Sequence, residues 1–333
     1  MNRWLGLAIL AITAAAAAGG ADEAASIVAS SKQFGDVNHG VLDRIAGDAQ
    51  SEVCGTARLG EITVATLRNT PIVTLLANGA PVTLLLDTGA ETTILTPAAA
   101  KRIGADPPRI EFQTQLHALG GSLQTSEVEL HSFTAGGLAI PWRRVRVASV
   151  NIPSVFSGPL DGVVGTDTLS SFDVDIDFPH HRMGFYTKQS CPHATPAWSE
   201  PYAGIAAGRS PGGHLFFPVQ LDGHRISAFF DTGSQVTVLS TGAALAIGVT
   251  AARLARDRPA ITRGAAAERL SSRAHRFSQL EIGGEVVRNP ELIVTDFKLG
   301  DADLVLGIDF LLSRRIWLSY GSQQIFLSRP AGG

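Results

Sequence analysis

Two aspartates in this chain occupy the same local setting. Residues 83–95 read Thr-Leu-Leu-Leu-Asp-Thr-Gly-Ala-Glu-Thr-Thr-Ile-Leu, and residues 227–239 read Ser-Ala-Phe-Phe-Asp-Thr-Gly-Ser-Gln-Val-Thr-Val-Leu. In each stretch an apolar strand delivers one carboxylate, Asp87 or Asp231, into a tight Thr-Gly turn, and a β-branched run follows. An aspartate at the end of a buried strand is costly unless something uses it. Two of them on matched segments point to a site built where the segments meet. Two carboxylates about 3 Å apart repel by about 5 kcal/mol at an effective dielectric near 20. They therefore hold one proton in common. The ionised member of such a pair can take a proton from water while the other donates to a carbonyl oxygen, so the water attacks directly.

The elements around the aspartates repeat as well. Asn78-Gly79 and Asp222-Gly223 are hairpin signals, each placed nine positions before its aspartate at the first residue of the pair. Asp87 and Asp231 are 144 positions apart, as are Gly104 and Gly248. Between these landmarks each half carries a short capped helix, one over 96–103 and one over 241–247, closed by the glycine. Gly120-Gly121 and, at the same offset, Gly264 each sit between stretches that can pair as a hairpin. Gly-Gly turns follow at 136–137 and 283–284. Late in each half an apolar strand runs into Gly-x-Asp, at Gly165 to Asp167 and at Gly307 to Asp309. Final hairpins are expected over 172–186 and 316–327. The chain divides into an N-terminal arm over 22–60, a first domain over 61–188, a Pro/Ala/Gly/Ser-rich linker over 189–213 and a second domain over 214–329.

The paired Asp-Thr-Gly segments, with their hairpins, helices, glycine-bearing loops and late Gly-x-Asp strands, resemble the retropepsin-like (retroviral-type) aspartic proteases across most of both halves. The resemblance implies an all-β chain of two closed β domains, forming a bilobal pseudo-dimer with the active site between the lobes. It implies an aspartic endopeptidase in which Asp87 and Asp231 activate water against a peptide bond, with no cofactor. Thr88 and Thr232 would hydrogen-bond across the two loops, and Gly89 and Gly233 would let the backbones approach. The halves differ next, with Ala90 in one and Ser234 in the other; a serine hydroxyl near its carboxylate makes Asp231 the candidate for the ionised member. Gly120, Gly121 and Gly264 are the candidate flap residues over the substrate, although neither loop carries the tyrosine of pepsin-like flaps and the second, Arg263-Gly264-Ala265-Ala266, is the less typical. The rival readings are a non-catalytic peptide- or envelope-binding protein on the same scaffold, and an enzyme whose halves each pair with another chain.

Other groups have plainer readings. Asp167 and Asp309 are expected to cap the short helices that follow them. Asp173, Asp175 and Asp177 alternate with apolar residues, which reads as a strand with one wet face rather than a calcium ladder. His117, His131, His180, His181 and His275 lack ligand spacing, so no metal site is expected. No Gly-x-Ser-x-Gly elbow is present. The 333 residues are 45% apolar and 17% charged with a net charge of -3, a composition with ample core, and a pI of 6.3 supports no nucleic-acid partner. Arg3, an apolar run from Trp4 to Ala18 and small residues to Ala21 read as a signal peptide over 1–21, with an uncleaved anchor as the alternative. Export to the periplasm or medium, no stable membrane insertion after cleavage, and a monomer acting on a peptide or protein substrate are the expectations. In an oxidising compartment Cys54 and Cys191 are expected to be bridged.

Overall fold

The computed structural model describes residues 56–105, 114–118, 121–150, 160–188, 195–263, 269–297 and 302–330, and the backbone of 15–16. Otherwise the expected signal peptide, together with Cys54, Cys191, Gly120 and Gly264, lies outside the described residues.

Each half begins from a hairpin whose turn is set by its sequence. Asn78 and Gly79 have φ of 51° and 78°, and Asp222 and Gly223 have 49° and 81°. Both residues of each loop are thus left-handed, as a two-residue type I′ turn requires. The turn side chains also fasten the next strand: Asn78 Oδ1 accepts from the amides of His131 and Ser132, and Asp222 Oδ1 from those of Ser278 and Gln279. From Thr70–Ala77 and Ala80–Leu86 the first sheet extends in register to Gly162–Val164, Ile94–Leu95, Arg144–Val147, Gly121–Glu129 and Thr114–Ala118. The second sheet repeats the order through Leu215–Leu221, His224–Phe230, Leu304–Leu306, Val238–Ser240, Glu291–Thr295, Arg269–Arg276 and Arg258–Arg263. Ala15–Ala16 adds antiparallel to the outer edge of this second sheet, at Ile261 and Ala260. In both lobes the strand that ends in the aspartate runs parallel to the late apolar strand. It is covered on both faces, so it reads as a continuous apolar run rather than an alternating one. The short helices Pro97–Arg102 and Thr241–Ala246 are capped by Thr96 and Ser240, whose hydroxyls accept from Ala99 and Ala243.

A third, six-stranded sheet joins the lobes in the order Tyr202–Ala206, Gln324–Ser328, Arg315–Ser319, Asp173–Asp177, Arg182–Tyr186, Arg58–Thr63. Two corrections to the sequence reading arise here. The first concerns the linker: within 189–213, Tyr202–Ala206 is an edge strand of this sheet and Gly208–Arg209 pairs with the start of the next hairpin. The ladder to Gln324–Ser328 outweighs the small-residue composition. The second concerns Asp173, Asp175 and Asp177, whose strand has no wet face. All three are buried, and each carboxylate has partners. Asp173 accepts from Ser319 and the Gly321 amide, Asp175 from Arg315 and Trp198, and Asp177 from His180 and Arg182. Buried carboxylates persist when hydrogen-bonded and paired, and polar periodicity cannot distinguish that from solvation. Among the described residues no helix is long and apolar enough to cross a membrane.

Candidate active site

Asp87 and Asp231 come together at the junction of the lobes, both fully buried. Each is delivered by its strand and pinned by its own loop. The Asp87 amide donates to Val164 O and the Asp231 amide to Leu306 O. The Gly89 amide donates to Asp87 Oδ1 at 2.9 Å, and the amides of Gly233 and Ser234 to Asp231 Oδ1 at 2.8 and 3.1 Å. The other oxygen of each carboxyl, Oδ2, is buried with no hydrogen-bond partner among the described residues. Buried polar atoms are rarely left so, and those that are tend to mark chemistry.

The two loops lock through their threonines. The Thr88 amide donates to Thr232 Oγ1 (3.0 Å) and the Thr232 amide to Thr88 Oγ1 (3.1 Å). Each hydroxyl then donates onward into the opposite strand, Thr88 to Phe230 O at 2.7 Å and Thr232 to Leu86 O at 2.6 Å. The glycines make room for the opposite carboxyl. A Cβ on Gly89 would lie 2.3 Å from Asp231 Cγ, and one on Gly233 would lie 2.5 Å from Asp87 Cγ. No other residue type fits either position.

Burial dominates the electrostatics. It pushes Asp87 up to about 7, against the lowering effect of its contact with Asp231 and of the Gly89 and Ala90 amides. Asp231 is raised well above the usual carboxylate range, by burial first and then by the charge of Asp87. Both carboxyls are thus raised, and the proton they share titrates as a property of the pair. Ser234 reaches Asp231 through its amide rather than its hydroxyl. Its hydroxyl donates to Val236 O at 2.7 Å, so it does not stabilise a charge on Asp231.

The late aspartates brace the same loops. Asp167 accepts from the Thr93 amide and hydroxyl, and Asp309 from those of Thr237. Each also accepts from the amide of the residue after it, but both lie inside the short helices, whose N-caps are Gly165 and Gly307 without a side-chain bond, so they do not cap those helices as the sequence suggested. Ala90 is buried, and its carbonyl accepts from Thr166. The hairpin strands flanking the candidate flaps form as expected, 114–118 with 121–129 and 258–263 with 269–276. Of their candidate residues, Gly121 begins a strand, while Gly120 and Gly264 are not described. Among the described residues no group of three or more His, Cys, Asp or Glu is placed to hold a metal ion. His180 and His275 serve Asp177 and Asp257.

Sequence reasoning missed the residues that reach this site across the lobe boundary. Each half sends the start of its first hairpin to the other half's Asp-Thr-Gly loop: Thr70 bonds Gln235, and His214 bonds Gly89. The repeat offset held the signal, since Thr70 and His214, like Glu91 and Gln235, are 144 positions apart.

The fold and site define a bilobal β protein with a buried carboxyl pair drawn from two duplicated lobes. The family model described as Aspartyl protease matches the chain twice, over 73–168 and 217–310, and the chain belongs to that family. Among solved structures, it is similar to the aspartic proteinase from Irpex lacteus at 14% identity, covering 82% of this chain and 98% of that one with a TM-score of 0.47.

Proposed function

We propose that the protein is an aspartic endopeptidase whose single centre uses one carboxyl from each lobe. The observation that carries this is the pair itself: Asp87 and Asp231 are fully buried, each seated against the other lobe's glycine, and both are raised by burial. In such a pair the ionised carboxyl takes a proton from the attacking water. The protonated carboxyl donates its proton to the scissile carbonyl oxygen. The buried Oδ2 atoms are the free acceptor and donor positions for that exchange. The threonine lock fixes the two carboxyls relative to each other, so a peptide bond placed between them meets acid and base already oriented. Peptides and unfolded protein segments are the substrate class, and no cofactor enters the chemistry. The enzyme is exported, as the leader over 1–21 suggests.

The test is digestion of an unstructured peptide mixture between about pH 3 and 7, with and without a statine-type inhibitor. Cleavage that the inhibitor blocks is expected. Asp87→Asn and Asp231→Asn should each lower turnover by about 1,000-fold or more while leaving the circular dichroism unchanged. Near-native turnover in either variant rules out the shared pair. Peptide binding without cleavage by the wild type would favour the binding-protein reading.

A further inference from the structure

The two lobes are not equivalent around their catalytic loops. On the second loop, Gln235 meets Thr70 from the first half, a neutral pair at 2.9 Å. On the first loop the matching positions hold Glu91 and His214, with His214 Nδ1 3.8 Å from Glu91 Oε1. His214 is buried, packs against Phe216 and Phe229, and places Nε2 2.9 Å from the carbonyl oxygen of Gly89. A carbonyl only accepts, so Nε2 carries the proton and the neutral ring turns its bare Nδ1 toward Glu91.

We propose that His214 is a positioning residue of the catalytic centre, holding the first Asp-Thr-Gly loop from the opposite lobe through the Gly89 carbonyl while Glu91 faces its other nitrogen. This rests on the peptidase reading of the same site. The turn carrying His214 is built to deliver it. The Gly213 amide donates to Ser210 O, and the His214 amide to Ser210 Oγ. Thr166 Oγ1 holds Gly212 O at 2.7 Å, and Arg209 reaches Ser170 Oγ and lies over the Tyr320 ring. Gly212 lets the Glu91 carboxyl lie against the turn, since a Cβ there would lie 2.0 Å from Oε1 and displace that side chain.

Glu91 faces His214 directly, Asp87 belongs to the loop it holds, and Arg209 belongs to the turn that carries it. Asp167 stands behind Glu91, its amide donating to Glu91 O. Burial pushes Glu91 up to about 7 and His214 down to about 4. Between those values the pair is a protonated carboxyl and a neutral ring, adding no charge beside the aspartates. Below about 4 the ring gains a proton, which turns Nδ1 from acceptor to donor.

Two variants separate the hydrogen bond from packing. His214→Phe fills the slot beside Phe216 and Phe229 but removes the donor; its kcat should fall about 10- to 100-fold with KM within about twofold, as expected for a misplaced catalytic group. His214→Gln retains a side-chain N–H donor and should recover most of that kcat. A wild-type kcat in His214→Phe, or an equal loss in His214→Gln, overturns the proposal. The wild-type imidazole should appear by NMR as the neutral Nε2–H tautomer at about pH 6, and an imidazolium there overturns it too. The NMR result does not depend on turnover. If the wild type cleaves nothing while the tautomer is found, the peptidase reading is what has failed, and the catalytic role of His214 falls with it.

Discussion

At the scale of single residues, the matched Asp-Thr-Gly loops were legible and their partners across the lobes were not. Asp87, Thr88 and Gly89 announce themselves because the motif recurs on Asp231, Thr232 and Gly233. His214 did not, because a lone histidine ahead of Phe216 and Phe217 reads as core, and only the fold sets its ring against Gly89 O. The direction of the Ser234 hydroxyl was equally hidden: a hydroxyl rotates toward an available acceptor, and the fold offers it Val236 O. The threonine lock makes a quantitative prediction. Thr88→Val keeps the shape but strips the donor from Phe230 O and the acceptor from the Thr232 amide, both buried. Two buried backbone groups left unpaired should cost about 2–5 kcal/mol, read as a lower urea midpoint. Thr88→Ser should lose much less. If the two variants melt alike, the lock contributes little to stability.

At the scale of elements, the duplicated hairpins, short helices and Gly-x-Asp strands could be placed from periodicity, turn residues and the repeat offset. The joining sheet could not, because its ladders link residues far apart in the sequence, Asp175 with Trp317 and Tyr202 with Ser328. Nor could a buried arginine be told from a solvated one. Arg314 is fully buried and makes two bonds to Glu285, while its other N–H groups donate to Phe310 O and Ser328 O. Arg314→Met leaves Glu285 buried without its counter-charge and should cost about 3–5 kcal/mol; adding Glu285→Gln to that variant should recover part of the loss. The six-stranded sheet also governs assembly. Three strands come from each half, and Val174 to Asp177 zip to Arg315 to Leu318 within one chain. The carboxyl pair should therefore form without a second chain, and specific activity should not change on dilution to nanomolar concentration. Activity that falls on dilution, alongside a dimeric mass at higher concentration, would show instead that the centre forms between chains.

At the scale of the whole molecule, the buried acids set how stability follows pH. Asp87 and Glu91 are each raised to about 7, and Asp231, Asp167 and Asp175 are raised as well, each with burial as the largest cause. A raised carboxyl holds a proton in the folded state that the unfolded chain has already released. Its contribution to stability is whole below the unfolded value and is lost as pH climbs through the folded one. For Asp87 and Glu91 that window runs from about 4 to about 7. His214 acts the other way: lowered from 6.5 to about 4, it leaves the unfolded chain with the extra proton and favours folding as pH rises between those values. Asp177 and Glu200, both lowered, withdraw stability only as pH falls below the ordinary carboxylate range. Among the described residues the raised acids outnumber the one lowered histidine, so between about pH 4 and 7 these groups hold more protons in the folded state than in the unfolded one, and stability should fall with rising pH. The melting temperature should peak on the acid side, near pH 4 to 5, and decline through pH 7. Asp87→Asn removes one raised acid and relieves its repulsion with Asp231, so its decline should be shallower and its melting temperature at about pH 7.5 above that of the wild type. A wild-type melting temperature that rises from pH 5 to 7.5, or an Asp87→Asn profile parallel to it, would mean that the buried pair does not carry the pH dependence.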